Sequence, residues 1–424
     1  MNHFSIFIHH NFYPFSKTSN LNFFLLLFLL IIFGCSSTKR FSSDNNTEFS
    51  SSNTIRVLLD NNSNEIHISV NDEVLISDES KKLAKVKSGN KLVFSEKSGE
   101  LNLEIGDAKF SSEKFYITPA TDNEIIKING KQYRGRISIF IIDSEIKTVN
   151  QIGLEDYVKG VMTKEMPIGK GKGNYDALKA FSICARTYAF NKINENKNFF
   201  DIYPDTRDQV YGGVDGETEY TNKIVDETNG QLLVYENEPA IIFYHSTCGG
   251  QTEDVSNVFS KKNIAYLGGV KDGEEPYCKI SPRYEWTENY SELTFIDRLY
   301  KAKLIESNKY RLSDIKIKSR FNSGRVNELD IIVNDGEEIQ KTIFLVSNQI
   351  RSIIRSSDGK SILKSTLFNI NLDDNKNIVI TGKGNGHGVG LCQWGAIGQS
   401  KKGIGYKEIL NHYFPGTTIK NLYD

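Results

Sequence analysis

A glutamate that ends a helical pattern is the residue best suited to acid–base chemistry. The stretch LEDYVKGVMTKEM, residues 154–166, has the apolar spacing of one helix face. That face consists of Leu154, Val158, Val161 and Glu165. Burial among apolar residues raises the pKa of a carboxyl group, and a carboxyl group that stays protonated can act as a general acid. The alternative is a structural ion pair with Arg186, which lies in the next helical pattern.

Cysteines form a second group of reactive residues. Cys248 in YHSTCGG and Cys278 in EPYCKISP predict a disulfide if the protein lies outside the cytoplasm. Zinc bound by these two cysteines and His245 is the alternative, although the chain has neither a C-x-x-C pair nor an H-E-x-x-H motif. Cys184 lies on an apolar helix face and is expected to be an unreactive buried thiol. We therefore expect no cofactor, with zinc as the open alternative.

The segment GKGNGHGVGLCQWGA, residues 382–396, has glycine at five alternate positions. It does not fit G-x-G-x-x-G, because Val389 stands where the third glycine is needed, and it has no G-K-[ST]. A nucleotide loop is therefore excluded. Alternating glycines suit the close approach of another backbone or of a sugar ring. A Cys392 nucleophile with His387 as its base is a further alternative.

The elements that must position these residues change in character along the chain. Residues 56–132 show short period-two runs separated by turns, which predict a small β-rich module. Residues 133–424 mix helical and strand patterns without a regular βαβ alternation, and the pattern is least recognisable around 287–380. We expect an α+β fold in which this mixed body follows the β-rich module.

Composition and the N-terminus indicate where the protein resides. A formal net charge of −1 argues against a nucleic-acid partner. The apolar run at residues 21–33 is typical of a signal peptide, and Gly34-Cys35 directly after it resembles a bacterial lipoprotein cleavage site. We expect residues 1–35 to be that signal, Cys35 to be the lipid anchor and the Ser/Asn-rich residues 36–55 to be a flexible tether. A simple secretory signal with an incidental cysteine is the alternative.

Several segments, in order, resemble the SpoIID/LytB family, the sporulation cell-wall lytic transglycosylase and amidase-enhancer group. They are YRGRISIF, LEDYVKGVMTKEMP with ALKAFSICARTYAF, YHSTCGGQTEDVSNVF, YLGGV, and the C-terminal stretch GKGNGHGVGLCQWGAIGQSKKGIGYKEILNHYFPGT. The resemblance covers most of residues 133–424 but neither the β-rich module nor the tether. GKGKGN, residues 169–174, departs from the family by lengthening the connection between the two helices.

The resemblance implies specific roles for individual residues. Glu165, in the family's E-M-P element, would be the catalytic acid and base, and Arg186, in the A-R-T-Y-A element, would take part in function by binding substrate. We expect His387, Gln393 and Trp394 to lie near a glycan groove. Some family members bind zinc near this region, which keeps the zinc alternative open.

The expected function is that of a membrane-tethered, extracytoplasmic lytic transglycosylase of the cell envelope. It would cleave the bond between N-acetylmuramic acid and N-acetylglucosamine in peptidoglycan glycan strands and leave 1,6-anhydro ends. Such a reaction needs one carboxyl group, whereas ordinary glycosidases need two. One alternative is a non-catalytic enhancer of an N-acetylmuramoyl-L-alanine amidase, which would then be a partner. A Cys392-dependent peptidoglycan peptidase is the other.

Overall fold

The computed structural model describes residues 53–59, 64–121, 124–169, 171–193, 199–259, 263–336, 340–373 and 375–423. The predicted signal, the Cys35 anchor and most of the predicted tether lie outside these ranges. Within them, no helix has the length and apolar composition needed to cross a membrane. The fold is α+β, as the sequence predicts.

Two six-stranded antiparallel sheets make up the N-terminal part. Their orders are β1-β12-β11-β8-β3-β4 and β10-β9-β2-β5-β6-β7. Alternate residues of most of these strands are buried, as expected for sheets that cover a core with one face. The strands are β1 (Thr54–Leu59), β2 (Glu65–Val70), β3 (Glu73–Ser77), β4 (Lys82–Lys87), β5 (Lys91–Lys97), β6 (Glu100–Ile105), β7 (Ala108–Ser112), β8 (Lys114–Pro119), β9 (Ile126–Ile128), β10 (Lys131–Tyr133), β11 (Arg136–Ile142) and β12 (Glu145–Gly153).

Strand pairing continues across residues 132 and 133, where the sequence places the end of the β-rich module. The hairpin β11–β12 pairs with β8 on one side and with β1 on the other. Phe94 of β5 and Phe115 of β8 meet edge to face between the two sheets, with ring centroids 5.6 Å apart. The same hydrophobic core continues from these sheets into the helices that follow.

The helical part of the body begins directly after β12. The predicted helix pair is present, and the residues of the first apolar stripe up to Val161 are buried against the second helix and its surroundings. The elements are α1 (Leu154–Glu165), α2 (Tyr175–Lys192), α3 (Glu219–Glu227), β13 (Gln231–Tyr235), β14 (Glu238–Pro239), β15 (Tyr244–His245) and α4 (Val255–Phe259).

The stretch that the sequence leaves least recognisable, 287–380, builds a hydrophobic core of its own. It contains two three-stranded sheets, β16-β21-β20 and β17-β18-β19. The elements are β16 (Glu285–Tyr290), α5 (Glu292–Lys301), β17 (Arg311–Arg320), β18 (Val326–Asn334), β19 (Gln340–Val346), α6 (Gln349–Ile354), β20 (Phe368–Leu372) and β21 (Ile378–Lys383). The chain then returns to the first core through β22 (Leu391–Cys392), α7 (Gln393–Lys401), α8 (Tyr406–Tyr413) and β23 (Thr418–Asn421).

The glycine-rich segment lies against the backbone of residues 243–248. Asn385 and Thr247 exchange two backbone hydrogen bonds of 2.8 and 3.0 Å, and β22 pairs in parallel with β15. Gly384 has φ +78°, and a Cβ added there would lie 2.6 Å from the carbonyl oxygen of Thr247. The alternating glycines therefore serve the approach of another backbone, one of the two uses that the pattern predicts.

Replacing Gly384 by alanine separates the steric requirement from the backbone strain. Gly403 is the matched control, because it has φ +80° and nothing lies within 4 Å of an added Cβ. We expect Gly403→Ala to lower the free energy of unfolding by about 1–2 kcal/mol through φ strain alone. Gly384→Ala should lower it by about 1–3 kcal/mol more, because the methyl group overlaps Thr247. Urea unfolding measures both, and equal losses would contradict the close approach.

Candidate active site

Glu165 is the last residue of α1, where its carboxyl group is half-buried. Burial raises the pKa of this carboxyl group, and a hydrogen bond of 2.6 Å from the Val210 amide to Oε1 opposes part of the rise. The C-terminal end of a helix also disfavours a negative charge. These surroundings keep the Glu165 carboxyl group protonated up to a higher pH than the carboxyl group of an ordinary glutamate.

Three other segments meet around Glu165. Gln393, at the start of α7, donates a 2.7 Å hydrogen bond from Nε2 to the backbone carbonyl of Glu165. Gln209 is fully buried next to Val210 and accepts a hydrogen bond from the Tyr157 hydroxyl at 3.2 Å. Burial is the main cause that raises the pKa of the Tyr244 hydroxyl well above its usual value, and the negative charge of the nearby Glu165 carboxylate is the second.

Two buried polar atoms in this region, Nε2 of Gln209 and the hydroxyl of Tyr244, make no hydrogen bond of normal geometry among the described residues. The Tyr244 side chain is nevertheless close enough to the Glu165 carboxylate and to Gln209 to interact with both. Buried polar groups are normally paired, and exceptions concentrate where a ligand or water completes the set. These two side chains are therefore suited to bind a polar ligand beside Glu165.

His387 has a backbone partner for each of its ring nitrogens. The Val389 amide donates to Nδ1 at 3.0 Å, so Nε2 carries the proton and donates to the Tyr244 carbonyl at 3.0 Å. Burial lowers the pKa of His387 to about 3, so the ring is neutral. His387 thus joins the glycine-rich segment to the strand that carries Tyr244. Trp394 is half-buried in the first turn of α7, where its amide donates to the Ser246 carbonyl.

Arg186 does not occupy a position from which it could bind a glycan. Its side chain is fully buried, and its guanidinium forms a fork with the Glu155 carboxylate, with contacts of 2.7 to 3.1 Å. It also donates to the backbone carbonyls of Gln231 and Val225. The expectation that Arg186 binds substrate is therefore corrected, because its donors already join α1, α3 and β13. Its partner on α1 is Glu155 and not Glu165, so the structural ion pair considered for Glu165 is absent too.

Three of the cysteines form a cluster with one aspartate next to this site. Cys248 and Cys278 are free thiols whose sulfur atoms are 3.4 Å apart, so the predicted disulfide is not present. Cys392 and Asp272 join them, and one ligand atom from each of the four residues lies within 4.8 Å of the others. His245 is not in this group; its Nδ1 lies 3.0 Å from the Val389 carbonyl.

Cys392 is placed unfavourably for nucleophilic catalysis. It is fully buried, and burial raises the pKa of its thiol well above the usual value. Its sulfur accepts hydrogen bonds from the amides of Cys248 and Gly395, and His387 is engaged elsewhere. The Cys392–His387 nucleophile therefore finds no support in the geometry. Cys184 is a free and fully buried thiol, as expected.

Comparison with known proteins identifies the relatives of this chain. Residues 142–235, which contain α1, α2 and Glu165, match the family model of the stage II sporulation protein SpoIID. An uncharacterised protein of Brachyspira hyodysenteriae is 35% identical over 69% of the chain and 73% of its own length. The chain belongs to the SpoIID/LytB family. Residues 278–390 match a separate model, a domain of unknown function (DUF8618), which agrees with their having their own core.

The named relatives include two proteins of Bacillus subtilis. The chain is 29% identical to the amidase enhancer of Bacillus subtilis over 76% of this chain, and it spans about half (49%) of that relative. It is 27% identical to stage II sporulation protein D of the same organism over 67% of this chain and 79% of the relative. The SpoIID/LytB relationship supports a role connected with the cell wall.

Sequence reasoning missed several residues of the site. Gln209, Val210 and Tyr244 lie in loops or short strands without a periodic pattern, and only tertiary contacts bring them to Glu165. Asp272 sits between YLGGV and Cys278, and no spacing rule connects it with the cysteines. A search for carboxylates close in sequence to Cys278 would have raised it as a candidate.

Arg186→Ala tests the structural position of this arginine. It leaves the Glu155 carboxylate without its partner, and we expect the free energy of unfolding to fall by about 3–5 kcal/mol. Arg207, paired with Asp205 on the surface, is the control, and Arg207→Ala should cost about 1 kcal/mol or less. Urea unfolding of both variants provides the measurement. A small loss in Arg186→Ala together with weaker glycan binding would restore the substrate-binding role.

Proposed function

We propose that the protein is a peptidoglycan lytic transglycosylase with Glu165 as its acid and base. The observation that carries the proposal is the half-buried carboxyl group at the end of α1, whose pKa is raised by burial. Membership of the SpoIID/LytB family supports a cell-wall substrate. The one-carboxyl mechanism requires a single group of this kind.

The reaction proceeds in two proton transfers. Protonated Glu165 donates its proton to the oxygen of the bond between N-acetylmuramic acid and N-acetylglucosamine, and that bond breaks as positive charge develops on the muramic acid ring. The resulting carboxylate then takes the proton of the muramic acid 6-hydroxyl, whose oxygen bonds to C1. The product has a 1,6-anhydro ring, no water is consumed, and Glu165 ends protonated as it began.

The residues around Glu165 have positioning roles in this proposal. Gln209 Nε2 and the Tyr244 hydroxyl are the donors that a sugar hydroxyl or acetamido carbonyl would pair with. Gln393 fixes the end of α1 by binding the Glu165 carbonyl. His387 and Trp394 would line the glycan groove next to these donors. His387 contacts the Tyr244 carbonyl, and the Trp394 amide contacts the Ser246 carbonyl. This mechanism uses no cofactor.

The proposed function requires the protein to lie outside the cytoplasm, in the cell envelope. An enzyme acting on peptidoglycan must reach the outside of the cytoplasmic membrane. A lipid on Cys35 and a tether over residues 36–53 would hold the body at a membrane of the cell envelope. Strand β1 begins at Thr54, so the last two residues that the sequence assigns to the tether belong to a strand.

A second function is favoured by one relative. The Bacillus subtilis protein that is 29% identical to this chain is named an amidase enhancer. A non-catalytic role of this kind would involve a cell-wall amidase as partner and would not require the Glu165 proton. The two functions therefore differ in their dependence on one side chain.

Glu165→Gln tests the proposal directly. The amide has nearly the same shape but does not transfer a proton, so we expect the release of 1,6-anhydromuramyl ends from peptide-free glycan strands to fall by about 10²–10⁴-fold. Mass spectrometry of the digest provides the measurement. Glu219→Gln, on the exposed first turn of α3, is the control and should leave the rate unchanged.

The same variants decide between the two functions. If no anhydro ends form with the unchanged chain, while peptide release by an added amidase rises equally with the unchanged chain and with Glu165→Gln, the enhancer function replaces the proposal. Anhydro ends at equal rates from the unchanged chain and Glu165→Gln would mean that another residue supplies the proton.

The pH dependence follows from the raised pKa of Glu165. The first step needs the protonated acid, so activity should be retained at low pH and lost as pH rises through the pKa of Glu165. Because burial raises this pKa, the loss should begin above the pH at which an ordinary glutamate, with a pKa of 4.5, ionises. A profile of kcat/KM against pH on soluble glycan strands provides the measurement. A rate that increases through that range would contradict the assignment of Glu165 as the acid.

A further inference from the structure

The cluster of Cys248, Asp272, Cys278 and Cys392 has the composition of a metal centre. All four residues are buried, and one ligand atom of each lies within 4.8 Å of the others. In a tetrahedral zinc site with Zn–S bonds of about 2.3 Å, sulfur atoms are about 3.8 Å apart. The 3.4 Å between the sulfur atoms of Cys248 and Cys278 is close to that spacing.

We infer that these four side chains bind one Zn²⁺ ion in a closed, tetrahedral, structural site. Three thiolates and one carboxylate would complete the coordination, with no open position for substrate. Thiolate ligands in a tetrahedral arrangement favour zinc over the hard cations Mg²⁺ and Ca²⁺. Binding would release the thiol protons to solvent, and no oxidant or reductant is needed.

A disulfide accounts for the cluster less well than a metal does. One disulfide uses two thiols, and the third thiol and the Asp272 carboxyl group would then stay buried beside it. A metal ion engages all four groups. The arrangement also differs from the zinc alternative suggested by the sequence, because His245 is replaced by Asp272 and Cys392.

The surroundings of the cluster suit an anionic metal–thiolate centre. Cys248 accepts a hydrogen bond on its sulfur from the Gly250 amide at 3.4 Å, and Cys392 accepts one from the Gly395 amide at 3.3 Å. Arg325 is buried beside the cluster and donates to the Cys248 carbonyl at 2.6 Å. A zinc ion with three thiolates and one carboxylate carries a net charge of −2, which a buried guanidinium partly offsets.

Asp272 is held in place by its own contacts. The Tyr413 hydroxyl donates to Oδ1 at 2.5 Å, and the Cys278 amide donates to Oδ2 at 2.8 Å. A Cβ at Gly395 would lie 2.4 Å from Oδ1 of Asp272, so only glycine fits over this carboxylate. Such outer contacts orient metal ligands and are a regular part of zinc sites.

The centre would stabilise the active site indirectly. Cys392 immediately precedes Gln393, whose side chain binds the Glu165 carbonyl. A metal bound by Cys392, Cys248 and Cys278 would join the start of α7 to the strand end after Tyr244 and to the 3-10 turn Tyr277–Ile280. The ion would thus fix the position of Gln393 without contacting the glycan.

Metal analysis of the full chain tests this inference independently of glycan cleavage. We expect one zinc ion per chain by elemental mass spectrometry after purification without chelator. After exchange with Co²⁺, the visible spectrum should show intense tetrahedral d–d bands and a thiolate-to-cobalt charge-transfer band. A strong chelator should lower the melting temperature of the zinc-bound chain.

Two variants locate the site. Cys392→Ser should lose the zinc ion, whereas Cys184→Ala, which changes a buried thiol on α2 outside the cluster, should retain it. Because Cys392→Ser can also fail to fold, the cobalt spectrum of the unchanged chain is the independent measurement. Absence of bound zinc, a Cys248–Cys278 disulfide in the intact mass, or a weak octahedral cobalt spectrum would each overturn the inference. So would iron or copper in place of zinc.

Discussion

The close contact between two distant backbone segments, 243–248 and 382–392, is the constraint on which the rest of the structure depends. The two are more than a hundred residues apart in sequence, yet Thr247 and Asn385 exchange backbone hydrogen bonds and β15 pairs with β22. Side chains on the second segment would prevent this approach, and the alternating glycines remove them. Tyr244, Cys248, Cys392 and Gln393 all take their positions from this contact.

The long loop between these segments is closed at a moderate entropic cost because much of it is packed around a hydrophobic core of its own. Residues 287–380 have their own sheets and hydrophobic core, so the ends of the loop meet without ordering a structureless chain. The entropy of loop closure also grows slowly with loop length. A stretch with its own core at this point is therefore compatible with the close contact of the two segments.

The site itself combines a partly desolvated acid with a rigid frame. α1 ends at Glu165. The Val210 amide donates a hydrogen bond to the carboxyl group of that residue, and the Gln393 side chain donates one to its backbone carbonyl. The buried pair of Arg186 and Glu155 connects the other end of α1 with α2. Burial opposes ionisation of Glu165, while these contacts limit its motion, which is the combination that general acid catalysis requires.

The sequence by itself determined the α+β class, both helices of the pair, and the position of Glu165 on the apolar face of the first. Apolar spacing along a segment is a local property, so it can be read without knowing which distant residues the segment packs against. It also indicated that the glycines serve a close approach. Tertiary structure alone decided that this approach is to a backbone, that Arg186 pairs with Glu155, and that Cys248 and Cys278 meet Asp272 and Cys392. Those outcomes depend on contacts between residues far apart in the chain, and spacing carries no information about such distances.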